Sequence, residues 1–172
     1  MTKQNSPKTA AHDAQPLIER RLRALQSQRP FRMEKAGIVK GVSIYNDSAA
    51  TTMDSVAESL IMFSEPVIWI VQANCNVQDI DIYSPLIRDK VKAIVAVGQD
   101  TDKFLESFWR STRFYVSADT WSEALEIALL SAKSNDNVLF SPGSRALEPF
   151  ANYEERGAYF DKIVSFQNSS KA

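Results

Sequence analysis

Two stretches, "PVIWIVQ" at Pro66–Gln72 and "KAIVAVG" at Lys92–Gly98, decide the fold. Each is a short apolar run with no alternation of polar and apolar positions. A strand with one wet face alternates. A strand covered on both faces does not, and that is the pattern of a parallel sheet held between two layers of helices. "VSIY" (42–45), "RFYVS" (113–117) and "NVLFS" (137–141) read as further strands. Helical patterns occupy 52–63, 84–90, 100–110, 120–134 and 153–166. The fourth opens with "DTWSEALEIALL", where Asp119 or Thr120 can cap, Glu123 stands three after Thr120, and Trp121, Leu125, Ala128 and Leu129 share a face. Strands alternating with helices of this length imply βαβ crossovers. The expected fold is α/β: a three-layer, Rossmann-like domain with a mostly parallel sheet of about five or six strands.

Three segments follow. Residues 1–16 are polar, with two prolines and no periodicity, and read as a disordered tail. Residues 17–30 hold a short amphipathic helix and a linker, with Leu17, Leu22 and Leu25 on one face and arginines on the other. Residues 31–167 are the folded domain.

The bulk composition excludes several functions. The 172 residues are 44% hydrophobic and 24% charged, with a net charge of -1, which argues against nucleic acid or an anionic membrane as partner. Cys75 is the only cysteine, so a reducing, cytoplasmic setting without internal disulfides is expected. No apolar run approaches the ~20 residues that span a bilayer, and the N-terminus lacks the apolar core of a secretory signal. His12, the only histidine, lies in the polar tail, which removes Ser-His triads and histidine zinc sites. Neither G-x-x-x-x-G-K-[ST] nor G-x-G-x-x-G occurs. Asp79 and Asp81 read as solvated turn carboxylates, Cys75 as a structural thiol, and Trp69, Trp109 and Trp121 as core residues.

In such sheets ligands bind outside the carboxyl ends of the strands. The segments expected there are "NDSAATT" (46–52), "ANCNVQDID" (73–81), "GQDTD" (98–102) and "SPGSRALEPF" (141–150), all rich in Asn, Asp, Ser and Gln. Turn and capping chemistry accounts for each loop singly; their convergence on one edge favours a cleft.

Taken in order, the loops resemble a known family. "FRMEKAGIVKGVSIYNDSAATTMDSVAESL" (31–60) resembles the opening of the C-terminal domain of the Mur ligases, most of all those that add D-glutamate to UDP-N-acetylmuramoyl-L-alanine, with their H-R-x-E followed by G-V-x-x-x-N-D-S-K-A-T-N. "SPGSRALEPFANYEERGAYFDKI" (141–163) is similar to the family's S-P-A-x-A-S-x-D-x-F-x-x-[FY]-x-x-R-G-x-x-F, and "DIYSPL" (81–86) to its D-F-S-P-L. The likeness spans residues 31–166.

The resemblance implies a dinucleotide-binding-like fold which, in complete enzymes of peptidoglycan synthesis, closes over a separate central ATPase domain and uses ATP and magnesium. It implies that Arg32, Asn46, Asp47 and Ser48 face the nucleotide, and that Thr51 and Tyr153 stand beside the D-glutamate substrate. It also exposes departures. The histidine before Arg32 is Phe31, the motif lysine is Ala49, a second lysine is replaced at Gln78, and the serine that donates to the substrate carboxylate is Ala146. Removing one charged partner from a buried carboxylate costs roughly 3–5 kcal/mol, so ordinary D-glutamate binding is expected to be lost. Arg145 stands where the family has a small residue, and with Thr51 it is a candidate for a rebuilt anion site, against the plainer reading of an exposed loop arginine.

The expectation is therefore a stand-alone binding module in cell-wall metabolism, without catalysis and with no cofactor of its own. Its expected partner is a Mur-type ATPase domain on another chain or an acidic small molecule. The alternative is the amino-acid-binding lobe of a split ATP-dependent ligase; a decaying paralogue is a third reading.

Overall fold

The computed structural model describes residues 29–74, 80–108, 110–112 and 114–169. The expected tail, the amphipathic helix and most of its linker, Cys75, Gln78, Asp79 and Trp109 lie outside these residues. Six strands form one sheet: β1 (Glu34–Val39), β2 (Val42–Asn46), β3 (Val67–Gln72), β4 (Val91–Val97), β5 (Tyr115–Ala118) and β6 (Asn137–Phe140). Among the described residues five helices accompany them: α1 (Met53–Ile61), α2 (Ile80–Lys90), α3 (Thr101–Glu106), α4 (Trp121–Ser131) and α5 (Tyr153–Ser169). The strand order is β1-β2-β6-β3-β4-β5, with β1 antiparallel to β2 and all other pairs parallel.

The unbroken apolar runs are buried as their composition requires. In β3, Val67, Trp69 and Val71 enter one core, shared with α1, α2 and α3. Ile68 and Ile70 enter the other, under α4 and α5. Each face has an aromatic centre. Trp69 meets Phe108 edge-on at 5.9 Å and donates its indole N–H to the Ser141 carbonyl at 2.7 Å. Opposite, Phe140 stacks on Phe160 at 4.0 Å, with Trp121 edge-on to Phe140 at 5.0 Å.

The first strand went unread. β1 has a poor strand composition, "EKAGIV", and is largely half-exposed. The readable signal was the two-residue Lys40-Gly41 link between apolar runs, with φ of 51° and 78°. Two consecutive positive φ values make the tight turn whose twist suits a hairpin. The "84–90" helix starts earlier, at Ile80, and accommodates Pro85. The 100–110 helix ends at Glu106, where Phe108 turns into the core beside Phe104.

Asp136 fastens the opposite end of the sheet. Its carboxylate accepts from the Lys133 N–H at 2.6 Å and pairs with Lys92, while its carbonyl accepts from Ser43 N–H at 3.0 Å. Burial alone would raise this carboxyl, but the Lys133 N–H and the Lys92 ammonium hold it below its ordinary 3.8. A lowered folded value adds stability that is present above 3.8 and lost as pH falls through that lowered value. Asp136→Asn should therefore melt earlier than the parent at neutral pH, and the gap should close in strong acid; a gap independent of pH would contradict this.

Candidate functional site

β2 and β6 are neighbours, yet the chain leaves β2 toward α1 on one face and leaves β6 toward α5 on the other. Adjacent carboxyl ends whose loops diverge define the crevice in this class of sheet. The β2 loop, "NDSAATT", lies there, and its first residues are turned inward: Asn46, Asp47 and Ser48 are 0% exposed.

Asp47 is the centre of one network. Its Oδ1 accepts from Arg32 Nη1 at 2.8 Å and Met33 N–H at 3.2 Å; its Oδ2 accepts from Ser59 Oγ at 2.6 Å and Ser141 Oγ at 2.7 Å. Arg32 also donates to Ser59 Oγ, the Ser55 carbonyl and Glu58. Burial pushes the Asp47 carboxyl up, while Arg32, Ser59 and Ser141 pull it down. One carboxylate thus ties the segment before β1, the end of β2, α1 and the end of β6.

Arg156 is the centre of the second. It is fully buried on α5, where Nε donates to Ser48 Oγ (3.0 Å), Nη1 to Gln72 Oε1 (2.9 Å) and the Ser144 carbonyl (3.1 Å), and Nη2 to the Ser48 carbonyl (2.8 Å). Burial lowers the guanidinium to about 10, well above neutrality, so it remains a cation. No carboxylate is paired with it among the described residues. Beside it Asn46 Nδ2 donates to the Gly157 carbonyl at 2.9 Å and to Asp161 at 2.8 Å.

Ala49 and Ala50 hold this junction by their backbone. Ala49 N–H donates to the Phe31 carbonyl, Ala50 N–H to the Asp47 carbonyl, and the Ala50 carbonyl accepts from Gly143 N–H at 3.0 Å. The methyl of Ala50 is packed in the core. Phe31, in place of the family histidine, lies over Gly157: a Cβ there would come within 2.4 Å of the Phe31 ring. Gly157→Ala should therefore cost ~1–3 kcal/mol by overpacking, despite the gain of about 0.5–1 kcal/mol expected of alanine in a helix. Thermal unfolding of Gly157→Ala with and without Phe31→Ala checks it, since the cost should vanish in the second background.

The other expected site residues are dispersed. Thr51 is half-buried just before Thr52, which caps α1 by accepting from Ser55 N–H. Arg145 is exposed, and its carbonyl accepts from Gln72 Nε2 at 3.3 Å. The Gly143–Ala50 bond places Arg145 and Thr51 on adjoining loops, but no hydrogen bond joins their side chains. Tyr153 is half-buried at the first turn of α5, where its carbonyl accepts from Ser48 Oγ at 2.7 Å. Burial and the neighbouring Glu154 raise its hydroxyl, while Arg29 opposes them.

Along the same edge, a cleft of about 620 Å³ opens between the ends of β3 and β4, the start of α4 and the loop before α5. Val97, Trp121, Leu147, Phe150 and Tyr159 give it apolar walls, and among the described residues Asp100, Asp119 and Glu148 line it without any lysine or arginine. Trp121, read as core, is half-buried and forms part of this wall. Among the described residues no group of His, Cys, Asp and Glu is placed to hold a metal, and no helix is long and apolar enough to cross a membrane.

Curated proteins named UDP-N-acetylmuramoylalanine--D-glutamate ligase align with the chain. The one from Cytophaga hutchinsonii is 38% identical over 135 residues, 78% of this chain. That from Chlamydia caviae is 36% identical over 149 residues, or 86%. The chain belongs to the Mur ligase family. It spans about 30% of the length of these relatives, 30% of the first and 35% of the second. No family model matches it. Among solved structures, a domain of a putative UDP-N-acetylmuramate:L-alanyl-gamma-D-glutamyl-medo-diaminopimelate ligase from Haemophilus ducreyi is 14% identical over 82% of this chain and all of that one, with a TM-score of 0.49.

In this Mur ligase domain the sequence reading missed Arg156 as a site organiser. A signal was present: Arg156 falls in register with the buried α5 positions Phe160, Ile163, Val164 and Gln167. A charge on a buried stripe demands partners.

Proposed function

We propose that this chain is a non-catalytic Mur ligase domain that serves cell-wall synthesis by binding rather than by ligation. One observation carries the reading: the edge where the family's substrate carboxylate would be met lacks the motif lysine and the donor serine. Ala49 and Ala146 stand at the positions of the motif lysine and serine, and among the described residues the cleft beside them is lined by carboxylates and no basic side chain. An anionic amino acid there would meet repulsion and too few donors. The N-D-S motif adds support, because Asn46, Asp47 and Ser48 spend their hydrogen bonds within the domain. ATP-dependent ligation relies on positioning and electrostatic stabilisation of the phosphoryl group, and these 172 residues contain no phosphate loop.

The partner we propose is a protein, with a Mur-type ATPase domain on another chain as the first candidate, ahead of an acidic metabolite held by Arg145. A thermal-shift series on the full chain tests this with D-glutamate, other acidic amino acids, ATP with magnesium and UDP-muramoyl peptides, each beside Arg145→Ala. A ligand at 100 times its Kd adds ~2.7 kcal/mol and raises the midpoint visibly. The expected result is no saturable shift. A shift with D-glutamate that disappears in Arg145→Ala would overturn the reading in favour of a living substrate lobe, as in a split ligase.

A further inference from the structure

The parallel strands β3, β4 and β5 begin at Val67, Val91 and Tyr115, so their amino ends share an edge, opposite the N-D-S crevice. A groove of about 670 Å³ opens there, with Arg88, Val91, Lys92, Arg110, Ser111 and Tyr115 in its walls. Its three cations come from the end of α2, the start of β4 and the segment leading into β5, and among the described residues no carboxylate lines it. Arg88 and Arg110 are exposed, and the Lys92 side chain, although paired with Asp136, is 33% exposed. Phe114 and Tyr115, at the same end of β5, are 45% and 44% exposed.

The walls are fixed before anything binds. Thr112 Oγ1 donates to the carbonyls of Lys92 (3.2 Å) and Phe114 (3.3 Å), and the Phe114 carbonyl also accepts from Ile94 N–H at 3.0 Å. Lys90 Nζ donates to the Phe63 carbonyl at 3.1 Å, which ties the end of α2 to the link before β3. A surface built this way loses little freedom on association. Its exposed arginines and aromatic rings are the residue types that anchor protein interfaces.

The charges select the occupant. One exposed ion pair contributes little, so a single small anion gains little here. Several carboxylates carried on one chain engage all the cations together, each raising the effective concentration of the next. Residues 1–28 of this chain do not fit, because they carry Lys3, Lys8, Arg20, Arg21 and Arg23 against only Asp13 and Glu19. The net charge of -1 disfavours a polyphosphate strand. We propose that this groove docks an acidic, extended segment of a partner protein, with carboxylates on Arg88 and Arg110 and an apolar side chain on Tyr115 and Phe114. The six residues of β3, about 20 Å of strand, separate it from the crevice. It is therefore independent of whether the carboxyl edge has kept a ligand.

Fluorescence anisotropy of the labelled heptapeptide EEEFEEE with the full chain tests this. Saturable binding is expected, weakened about tenfold or more by Arg88→Glu or by Arg110→Glu. Lys162→Glu, an equal reversal at an exposed position of α5, should leave it unchanged. Added salt should weaken it, because the ion pairs form at exposed groups. With the peptide bound, amide exchange should slow around Arg88 and Tyr115 and stay as it was in the β2 and β6 loops. Should Arg110→Glu fail to fold, Arg88→Glu, in the exposed last turn of α2, carries the test by itself. The proposal fails on any of four results: no saturable binding, binding that both reversals leave intact, a uridine oligomer held more tightly than the peptide, or self-association that Arg88→Glu abolishes, which would assign the groove to a second copy.

Discussion

Asp47→Ala is expected to lower unfolding stability by about 3–5 kcal/mol, the usual cost of leaving one member of a buried ion pair without its partner. Arg32 is only 6% exposed, and its other charged neighbour, Glu58, is largely in water, where an ion pair is worth about 0–1 kcal/mol. The hydroxyls of Ser59 and Ser141 and the Met33 N–H lose their acceptor at the same time. Chemical denaturation of Asp47→Ala, Arg32→Met and the double variant measures the coupling. The double change should cost clearly less than the sum of the singles, because removing both charges leaves neither stranded. Additive losses would show that Asp47 acts through its hydroxyl donors alone.

Arg156→Met is the second large effect, expected at about 3–5 kcal/mol or as failure to accumulate folded protein, since several buried acceptors lose their donors at ~1–3 kcal/mol each. Methionine fills a similar volume, so the loss isolates the hydrogen bonds to Ser48, Gln72 and Ser144. Arg156→Lys should recover only part of it, because one ammonium cannot reproduce a planar fork spread over three elements. Circular dichroism melts of both variants decide the matter, and equal stability of Arg156→Lys and the parent would refute the strut. Because Arg156 and Asp47 organise adjoining parts of one crevice, losses at either should also raise hydrogen exchange in the β2 and β6 loops.

These expectations explain how a family binding motif serves as scaffold here. Asn46, Asp47, Ser48 and Arg32 stand at positions that the resemblance assigns to the nucleotide side. In this chain each of the four is committed to internal hydrogen bonds. By that resemblance Ala49 stands in place of the motif lysine and Ala146 in place of the serine donor. The edge keeps its architecture without the motif lysine, while Arg145 and Arg156 still stand along it.

How much of this was legible follows from the range of each interaction. "PVIWIVQ" and "KAIVAVG" announced two-sided burial because hydrophobic periodicity is a property of a few consecutive residues, and both are buried along nearly their whole length. The cap at Thr120 was readable for the same reason, with Glu123 N–H three residues on. The ordered motifs carried the family. β1 escaped because an edge strand of a hairpin has little burial to record in its composition. Arg156 looked like one charge among several on a helix, since its partners lie 84 and 108 residues away in sequence. The acidic cleft draws on residues from Gln72 to Tyr159. The sequence by itself determined the five strands of the parallel part of the sheet, the helices between them and which loops share an edge, because those follow from local pattern and connectivity. Tertiary structure alone decided which polar side chains turn inward and which carboxylates face a common cavity, because hydrogen bonds and fields act through space between residues that the chain keeps far apart.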